Sequence, residues 1–198
     1  MIEAILMVAV LAGPDCGQVK RYAVGGDYTS AKDRRNLALV EAFHFSPDIE
    51  ALKRSAVKPG EDIATTLAHY PNHHRALAAM AKLGQRDRAA RVNGAAYTVD
   101  CYFERAIRFR PEDAKVRMVY SSHLLETGRA DAALVQMREA VRIDPLDPAA
   151  HYNLGILLVM REQYDEAKVH ARKAYQGGFP LPALKNKLRE AGHWREPD

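Results

Sequence analysis

Residues 114–180 read AKVRMVYSSHLLETGRADAALVQMREAVRIDPLDPAAHYNLGILLVMREQYDEAKVHARKAYQGGFP, and this stretch contains two consecutive copies of one pattern. Small residues and large apolar residues recur at a constant interval, as from Ala133 to Ala167. Such spacing predicts pairs of helices, because small residues let two helices approach closely and larger ones fill the gaps. One pair cannot bury its apolar stripe alone, so the copies must stack. The aligned pairs are Tyr120 with Leu154, Ser121 with Gly155, Leu124 with Leu158, Ala133 with Ala167 and Ala140 with Ala174.

This pattern resembles the tetratricopeptide repeat (TPR), which has apolar or aromatic residues at positions 7 and 11, small residues at 8, 20 and 27, and a proline near position 32. The resemblance implies an all-α fold, a right-handed superhelical stack of antiparallel helix hairpins. We expect an irregular N-terminal arm before the stack and a polar-backed capping helix after it. The resemblance implies a mode of binding and no reaction, since function resides in the site.

Proline and glycine residues divide the rest of the chain. Residues 13–60 are predicted to form the arm and N-terminal helices, and residues 61–180 to form TPR-like hairpins. The hairpin near 71–111 holds about nine residues more than its repeat length requires, placed within 84–99. This insertion is expected to project from one rim, either as a functional loop or as tolerated decoration. The other segments are hairpins at 114–147 and 148–180, a capping helix at 181–192 and a polar tail at 193–198.

The N-terminal half is similar to a group of small bacterial TPR proteins, which are often made with export signals. The similarity depends on three short elements that precede the repeats: Asp27-Tyr28-Thr29, Pro47-Asp48, and the run from Pro71 to Leu77. It implies no known reaction.

Residues 1–12 form an apolar, signal-like segment, but no Lys or Arg precedes the apolar run and Glu3 lies within the segment. Two interpretations remain open. An export signal would place the protein in the periplasm or outside the cell, whereas a frayed apolar strand or helix would suit a cytoplasmic protein. No segment of the sequence has the length needed for a transmembrane helix.

Cys16 and Cys101 are the two cysteines of the chain. In an exported protein they can form a disulfide, and closing so long a loop would contribute roughly 4 to 5 kcal/mol in the chain-entropy model. The alternative is two unpaired thiols, with Cys101 packed beside Phe103. The sequence leaves both alternatives open.

A net charge of +4 is mildly basic. Most cationic residues alternate with acidic ones, as in REQYDEAK at 161–168, which is typical of a solvated helix face. Nucleic-acid binders usually concentrate their charge in one patch. We expect no nucleic-acid partner, because Arg105, Arg108 and Arg110 should scatter over the convex face.

Motifs for catalysis or cofactor binding are missing from the sequence, so we predict no enzyme activity, no cofactor and no metal. His69, His73 and His74 form the densest histidine group, but Pro71 interrupts their helix and His73 and His74 point in different directions. We expect His73 or His74 to hydrogen-bond a neighbouring loop. A metal-dependent or cysteine hydrolase that uses His73, His74 and Cys101 is a minor alternative.

The inner wall of the stack, lined by the first helix of each hairpin, is the predicted binding site. Its lining is apolar in the middle and basic at the ends, which predicts a peptide anchored by apolar contacts with an acidic group near the basic side chains. Tyr152 offers a rigid anchor and Met118 an adaptable one. The predicted contact residues are Asn72, Arg75, Lys115, Met118, Ser122, Tyr152, Asn153, Ile156, Val159, Lys185 and Arg189.

The sequence thus predicts a noncatalytic scaffold that binds a protein or peptide in its groove. The main alternative is a structural subunit that self-associates as a homo-oligomer, with the groove filled by its own arm.

Overall fold

A computed structural model describes residues 16–53 and 57–195. These residues form ten α-helices, with a short 3-10 helix (Asp33–Asn36) before the first. None of them forms a strand, so the predicted all-α fold is confirmed. The apolar segment 1–12 and residues 196–198 lie outside the described residues. The helices are α1 (Leu37–His44), α2 (Pro47–Glu50), α3 (Pro59–His69), α4 (His74–Asp87), α5 (Val99–Phe109), α6 (Ala114–Glu126), α7 (Ala130–Ile143), α8 (Pro148–Met160), α9 (Tyr164–Gln176) and α10 (Ala183–Glu190).

Helices α6 to α9 form two plain hairpins, α6 with α7 and α8 with α9. Four alanines at the aligned positions are completely buried where the helices cross: Ala133, Ala140, Ala167 and Ala174. Aspartates cap α6 and α8, because the side chains of Asp113 and Asp147 accept hydrogen bonds from backbone N–H groups of the first turn. Small residues at the crossings and polar caps at the turns therefore explain why this sequence folds into hairpins.

The preceding hairpin pairs α4 with α5 and carries the insertion. Helix α4 continues to Asp87, so the connecting loop spans 88–98 and lies within the predicted range of 84–99. Val92 in this loop is buried, and the Asn93 carbonyl lies so close to Gly60 of α3 that a Cβ there would approach it to 2.1 Å. The insertion packs on α3 instead of projecting freely from a rim.

Helix α10 covers the last hairpin by burying Leu184 and Leu188. Gly155 of α8 makes room for this contact, since a Cβ at Gly155 would lie 2.5 Å from the Cδ2 atom of Leu184. The predicted polar tail begins later than expected. Trp194 is half-buried and packs edge-on against Tyr175 of α9, with 6.1 Å between ring centroids.

Helices α1 and α2 lie at the other end of the stack, where α1 contacts α3 and α2 contacts both α3 and α4. The 3-10 helix precedes α1, and the α-helical hydrogen bonding begins at Leu37. Within the described part of the chain, no helix combines the length and the apolar character that crossing a bilayer requires.

Candidate functional site

The first helices of the two plain hairpins, α6 and α8, present partly exposed side chains at equivalent positions. Ile156 and Val159 of α8 and Leu125 of α6 are half-buried and pack against the edge of the core. Ser122 of α6 is exposed, and Asn153 of α8 is half-buried. We call these five residues the A-helix face. It combines three apolar side chains with two that can hydrogen-bond.

Two of the predicted anchors are buried beneath this face. Tyr152 is 7% exposed, and its ring stacks on Phe179 with 4.2 Å between centroids. Met118, at the equivalent position of the preceding repeat, is 9% exposed. The prediction that they contact a peptide directly is therefore wrong. Their position in the repeat points between the layers, so both side chains belong to the core that supports the A-helix face.

Asn72 does not line a groove either. It is fully buried, and its amide Nδ2 donates to Asp27 (2.8 Å) and Asp113 (2.9 Å). Its Oδ1 accepts from the Tyr28 backbone N–H at 2.9 Å. Asn72 thus binds the N-terminal arm to the start of α4 and α6, and the prediction that it contacts a partner is wrong.

Asp113 is the acidic centre of this buried cluster. Burial alone would raise the pKa of its carboxyl group, but hydrogen bonds from His74, Asn72 and the Val116 backbone N–H hold the pKa below its usual range. His74 Nε2 lies 2.8 Å from Asp113 Oδ2. The carboxylate also caps α6, so one buried negative charge fixes three parts of the chain.

The predicted basic end of the groove at α4 is already neutralised. Arg75 forms ion pairs with Glu41 of α1 and Glu50 of α2, and its guanidinium lies over the Phe45 ring, 5.4 Å from the centroid. The hydrogen bond to Glu50 raises the pKa of Arg75 further above its usual range. Arg75 therefore holds the N-terminal helices on α4.

The other predicted cations also have neighbours within the protein. Lys115 Nζ lies 3.4 Å from a carboxylate oxygen of Asp147. At the cap, Lys185 Nζ lies 5.8 Å from the centroid of Trp194, and Arg189 donates to Asn186 at 3.3 Å. These positions are solvent-accessible, but their charges are engaged with this chain.

Residues 16–30 form the described part of the arm, and they run across α5 and α3 to the start of α4. Cys16 and Cys101 form a disulfide that joins the arm to α5. Arg105, which is 8% exposed, donates to the carbonyl oxygens of Cys16 (2.8 Å) and Gln18 (2.9 Å). Arg108 donates to the Gly17 carbonyl at 3.0 Å. Helix α5 therefore holds the start of the arm, residues 16–18, by one covalent bond and three hydrogen bonds.

Further along, the arm pairs with the end of α3 and with α5. The Gly26 N–H donates to the His69 carbonyl at 2.9 Å, and the His69 ring bonds to the Val24 carbonyl. Arg110 forms an ion pair with Asp27 at 3.2 Å. The three arginines considered above for nucleic acid, two on α5 and Arg110 directly after it, thus bind the arm. The sequence shows that these arginines lie close to Cys101. It does not show that their partners are in the arm.

His73 and His74 are occupied within the fold. His73 is completely buried, donates from Nε2 to Glu41 at 3.0 Å and accepts at Nδ1 from the Ala76 N–H. Burial lowers its pKa. The expectation that His73 or His74 hydrogen-bonds a neighbouring loop is confirmed for His74, because its partner Asp113 lies in the turn between α5 and α6. His73 bonds to α1 instead, and the Tyr28 ring of the arm lies tilted against it with 4.2 Å between ring centroids.

The chemistry required by the hydrolase alternative does not match the described residues. Cys101 forms a disulfide and has no thiol to act as a nucleophile. A metal site needs several Asp, Glu, His or Cys ligand atoms close together. In this part of the chain, such a group is formed by Cys16, Cys101 and Glu104. Two of these three atoms are the disulfide sulfurs.

The family model for the tetratricopeptide repeat matches residues 124–173, from the end of α6 into α9. Residues 124–173 therefore match the tetratricopeptide repeat. The match covers α7 and α8 completely, and so includes Ile156 and Val159 of the A-helix face. TPRs serve as protein-interaction modules, which makes this face the candidate binding site. Among the curated proteins, none matches the chain.

Proposed function

We propose that this protein is a scaffold that binds a peptide or protein segment on the A-helix face. The observation that carries the proposal is the half-buried state of Leu125, Ile156 and Val159, which are packed against the core on one side and open to solvent on the other. A further apolar side chain that covers them would remove more apolar area from water. Because core residues support them from below, they form a firm base for an incoming segment.

The neighbouring polar groups suit the backbone of such a segment. The Asn153 amide offers both a donor and an acceptor, while the Ser122 hydroxyl donates to the Met118 carbonyl and retains acceptor capacity. We expect the partner to present apolar side chains toward α8 and to hydrogen-bond through its backbone. The ion pairs of Arg75 and Lys115 make an acidic group at the α4 end less important than the sequence predicted.

Peptides selected from a random displayed library against the purified protein test the proposal. Their affinity, measured by calorimetry, should fall at least about tenfold in Ile156→Glu with Val159→Glu, because a charge on the apolar base must be desolvated to bind. The matched control is Val135→Glu with Val169→Glu, which places the same charges on exposed positions of α7 and α9. Equal losses in both variants, or no loss in the first, would refute binding at the A-helix face.

We also propose that the protein works in an oxidising compartment, the periplasm or beyond. The buried Cys16–Cys101 disulfide supports this location, because such bonds persist in exported proteins and are rare in the cytosol. Mass measurement of the protein taken from its host, with and without reduction before alkylation, tests it. Two free thiols in the native protein would oppose the proposal.

Self-association is the second candidate, and one observation favours it. Leu39 and Phe43 lie one turn apart on α1 and are 54% and 73% exposed. The described arm contacts α3, α4 and α5, so a groove filled by residues 16–30 is not the basis of this alternative. Light scattering after size exclusion should show a dimer that becomes a monomer in Leu39→Ser with Phe43→Ser. A wild-type monomer at high concentration would eliminate this candidate.

A further inference from the structure

A second candidate site lies at the C-terminal end of the stack, away from the A-helix face. It is a solvent-open cavity of about 330 Å³ between α9 and residues 192–195. Four of its lining side chains carry or can carry positive charge: Lys168, Arg172, His193 and Arg195. The remaining lining residues are Gly192 and Trp194.

The turn after α10 creates this cavity. Gly192 adopts a left-handed conformation (φ +75°), and the N–H groups of Gly192 and His193 bond back to the carbonyls of Arg189 and Leu188. The chain then folds back on α9. The His193 ring stacks on Tyr164 with 4.3 Å between centroids, and Trp194 packs against Tyr175.

Four side chains of α9 form one stripe, since Tyr164, Lys168, Arg172 and Tyr175 are spaced by three or four residues. The two tyrosines at its ends are covered by His193 and Trp194. The two cations in the middle remain and line the cavity. Positive charge is therefore concentrated between the two aromatic contacts.

The preceding repeat shows what this position binds. Arg138 of α7, the equivalent of Arg172, pairs with the Glu166 carboxylate of the next hairpin at 2.8 Å. Lys168 pairs with Asp165, which is itself 92% exposed. Among the described residues, no acidic side chain lies within ion-pair distance of Arg172 or Arg195. The described part of the last repeat therefore repeats the cation without a carboxylate paired to it.

The Trp194 indole adds an independent observation. Its Nε1–H is shielded from solvent and has no hydrogen-bond acceptor in the described structure. A buried donor without a partner costs free energy. A small rotation of the Trp194 side chain would let this donor reach an oxygen acceptor bound in the cavity.

We infer that this cavity, defined by Lys168, Arg172, His193, Trp194 and Arg195, binds a carboxylate-bearing acidic peptide segment. The guanidinium of Arg172 donates to the carboxylate of the bound segment, as Arg138 donates from Nη2 to Glu166. The cavity is shallow and open, which suits a peptide lying across it better than an enclosed small anion. Its partner is thus acidic, whereas the A-helix face favours apolar side chains.

The chain contains a single tryptophan, so one indole N–H signal in a ¹⁵N-correlated spectrum reports on the cavity that Trp194 lines and on the adjacent Lys185. Titration with an octaglutamate peptide at low salt should shift that signal in a saturable way. Arg172→Glu should weaken the interaction about tenfold, because it removes one attractive charge and adds a repulsive one. An octaglutamine peptide should leave the signal unchanged.

Lys173→Glu is the matched control, since it makes the same change of charge one residue away on α9 without lining the cavity. It should change the affinity by no more than about twofold. Arg172→Gln, which preserves a polar side chain, replaces Arg172→Glu if that variant fails to fold by circular dichroism. Three results would overturn the inference: an unmoved indole signal, equal weakening by the control, or saturation of the same signal by inorganic phosphate at comparable concentration.

Discussion

The two halves of this molecule use different means to hold helices together. In α6 to α9, buried alanines at repeated positions let apolar helices interlock, and neighbouring hairpins supply nearly all the contacts. In residues 16–113, the fold depends on contacts between distant parts of the chain: a disulfide, three arginines that bind the arm, and a buried polar cluster around Asp113. Regular repeats are thus held together by local packing between neighbouring helices. The irregular end depends on polar contacts, each of which is specific to one pair of residues.

The largest expected effect comes from removing the disulfide. Cys16→Ala with Cys101→Ala should lower the free energy of unfolding by about 4 kcal/mol, because the unfolded chain regains the entropy of a large loop. Hydrogen exchange should accelerate in residues 16–30 and α5 and stay slow in α8 and α9. Wild-type protein under reducing conditions is the control and should behave like the variant. Uniform acceleration along the chain would show that the two halves are not held independently.

Asn72→Ala is the next test, because it removes an amide that is fully buried and bonded to Asp27, Asp113 and Tyr28. The free energy of unfolding should fall by about 2 kcal/mol, since these groups lose a partner in a buried site. Asn153→Ala, on the partly exposed A-helix face, should change it by less than about 0.5 kcal/mol. Chemical denaturation measures both. Similar values for the two variants would contradict the assigned role of Asn72.

The same substitution, glycine to alanine, can be compared at one position in each half of the molecule. In Gly60→Ala the new Cβ meets the Asn93 backbone carbonyl, which cannot rotate away, so we expect a loss of about 1 to 3 kcal/mol. In Gly155→Ala the Cβ meets the tip of the Leu184 side chain, which can move, and alanine is the better helix former by about 1 kcal/mol. Thermal unfolding should therefore show a clear decrease for Gly60→Ala and little change for Gly155→Ala. The reverse order would show that the insertion is loosely packed.

The smallest effect concerns acid sensitivity within the repeats. Burial, with a contribution from the charge of nearby His151, lowers the pKa of His170 from 6.5 to about 4. The unfolded chain therefore takes up the proton first as pH falls, and stability is lost between about pH 6.5 and pH 4. His170→Asn keeps a donor toward His151 Nδ1 and should reduce this loss by about 1 kcal/mol at pH 5.5. An unchanged slope in His170→Asn would refute the assignment.

The sequence predicted the hairpins well because their information is local and repeated. Ala133 and Ala167 indicate a helix crossing wherever they occur at that spacing, and the structure buries both. The sequence failed at Tyr152, because a pattern of positions does not show that Phe179 lies over the ring. It also failed at Asn72, whose partners are Tyr28 and Asp113. Pairings between distant polar residues have no period, so a single sequence does not reveal them.

For the candidate site, sequence and structure agree best on α8. Ile156 and Val159 were expected on the binding face and are accessible there. The cavity at the C-terminal end was not predicted, because 193–198 was interpreted as a polar tail. The spacing of Tyr164, Lys168, Arg172 and Tyr175 indicates one stripe on α9. The sequence does not show that the left-handed turn at Gly192 brings residues 193–195 back against that stripe.

The bond between Cys16 and Cys101 also sets an order of assembly. Cys16 is synthesised early, and its partner follows 85 residues later, so the arm has no docking surface until α5 exists. The hairpins close between neighbouring segments and have low contact order, which favours rapid folding. The arm is therefore fixed in place only after α5 has formed, because its disulfide and its first hydrogen bonds all attach it to that helix.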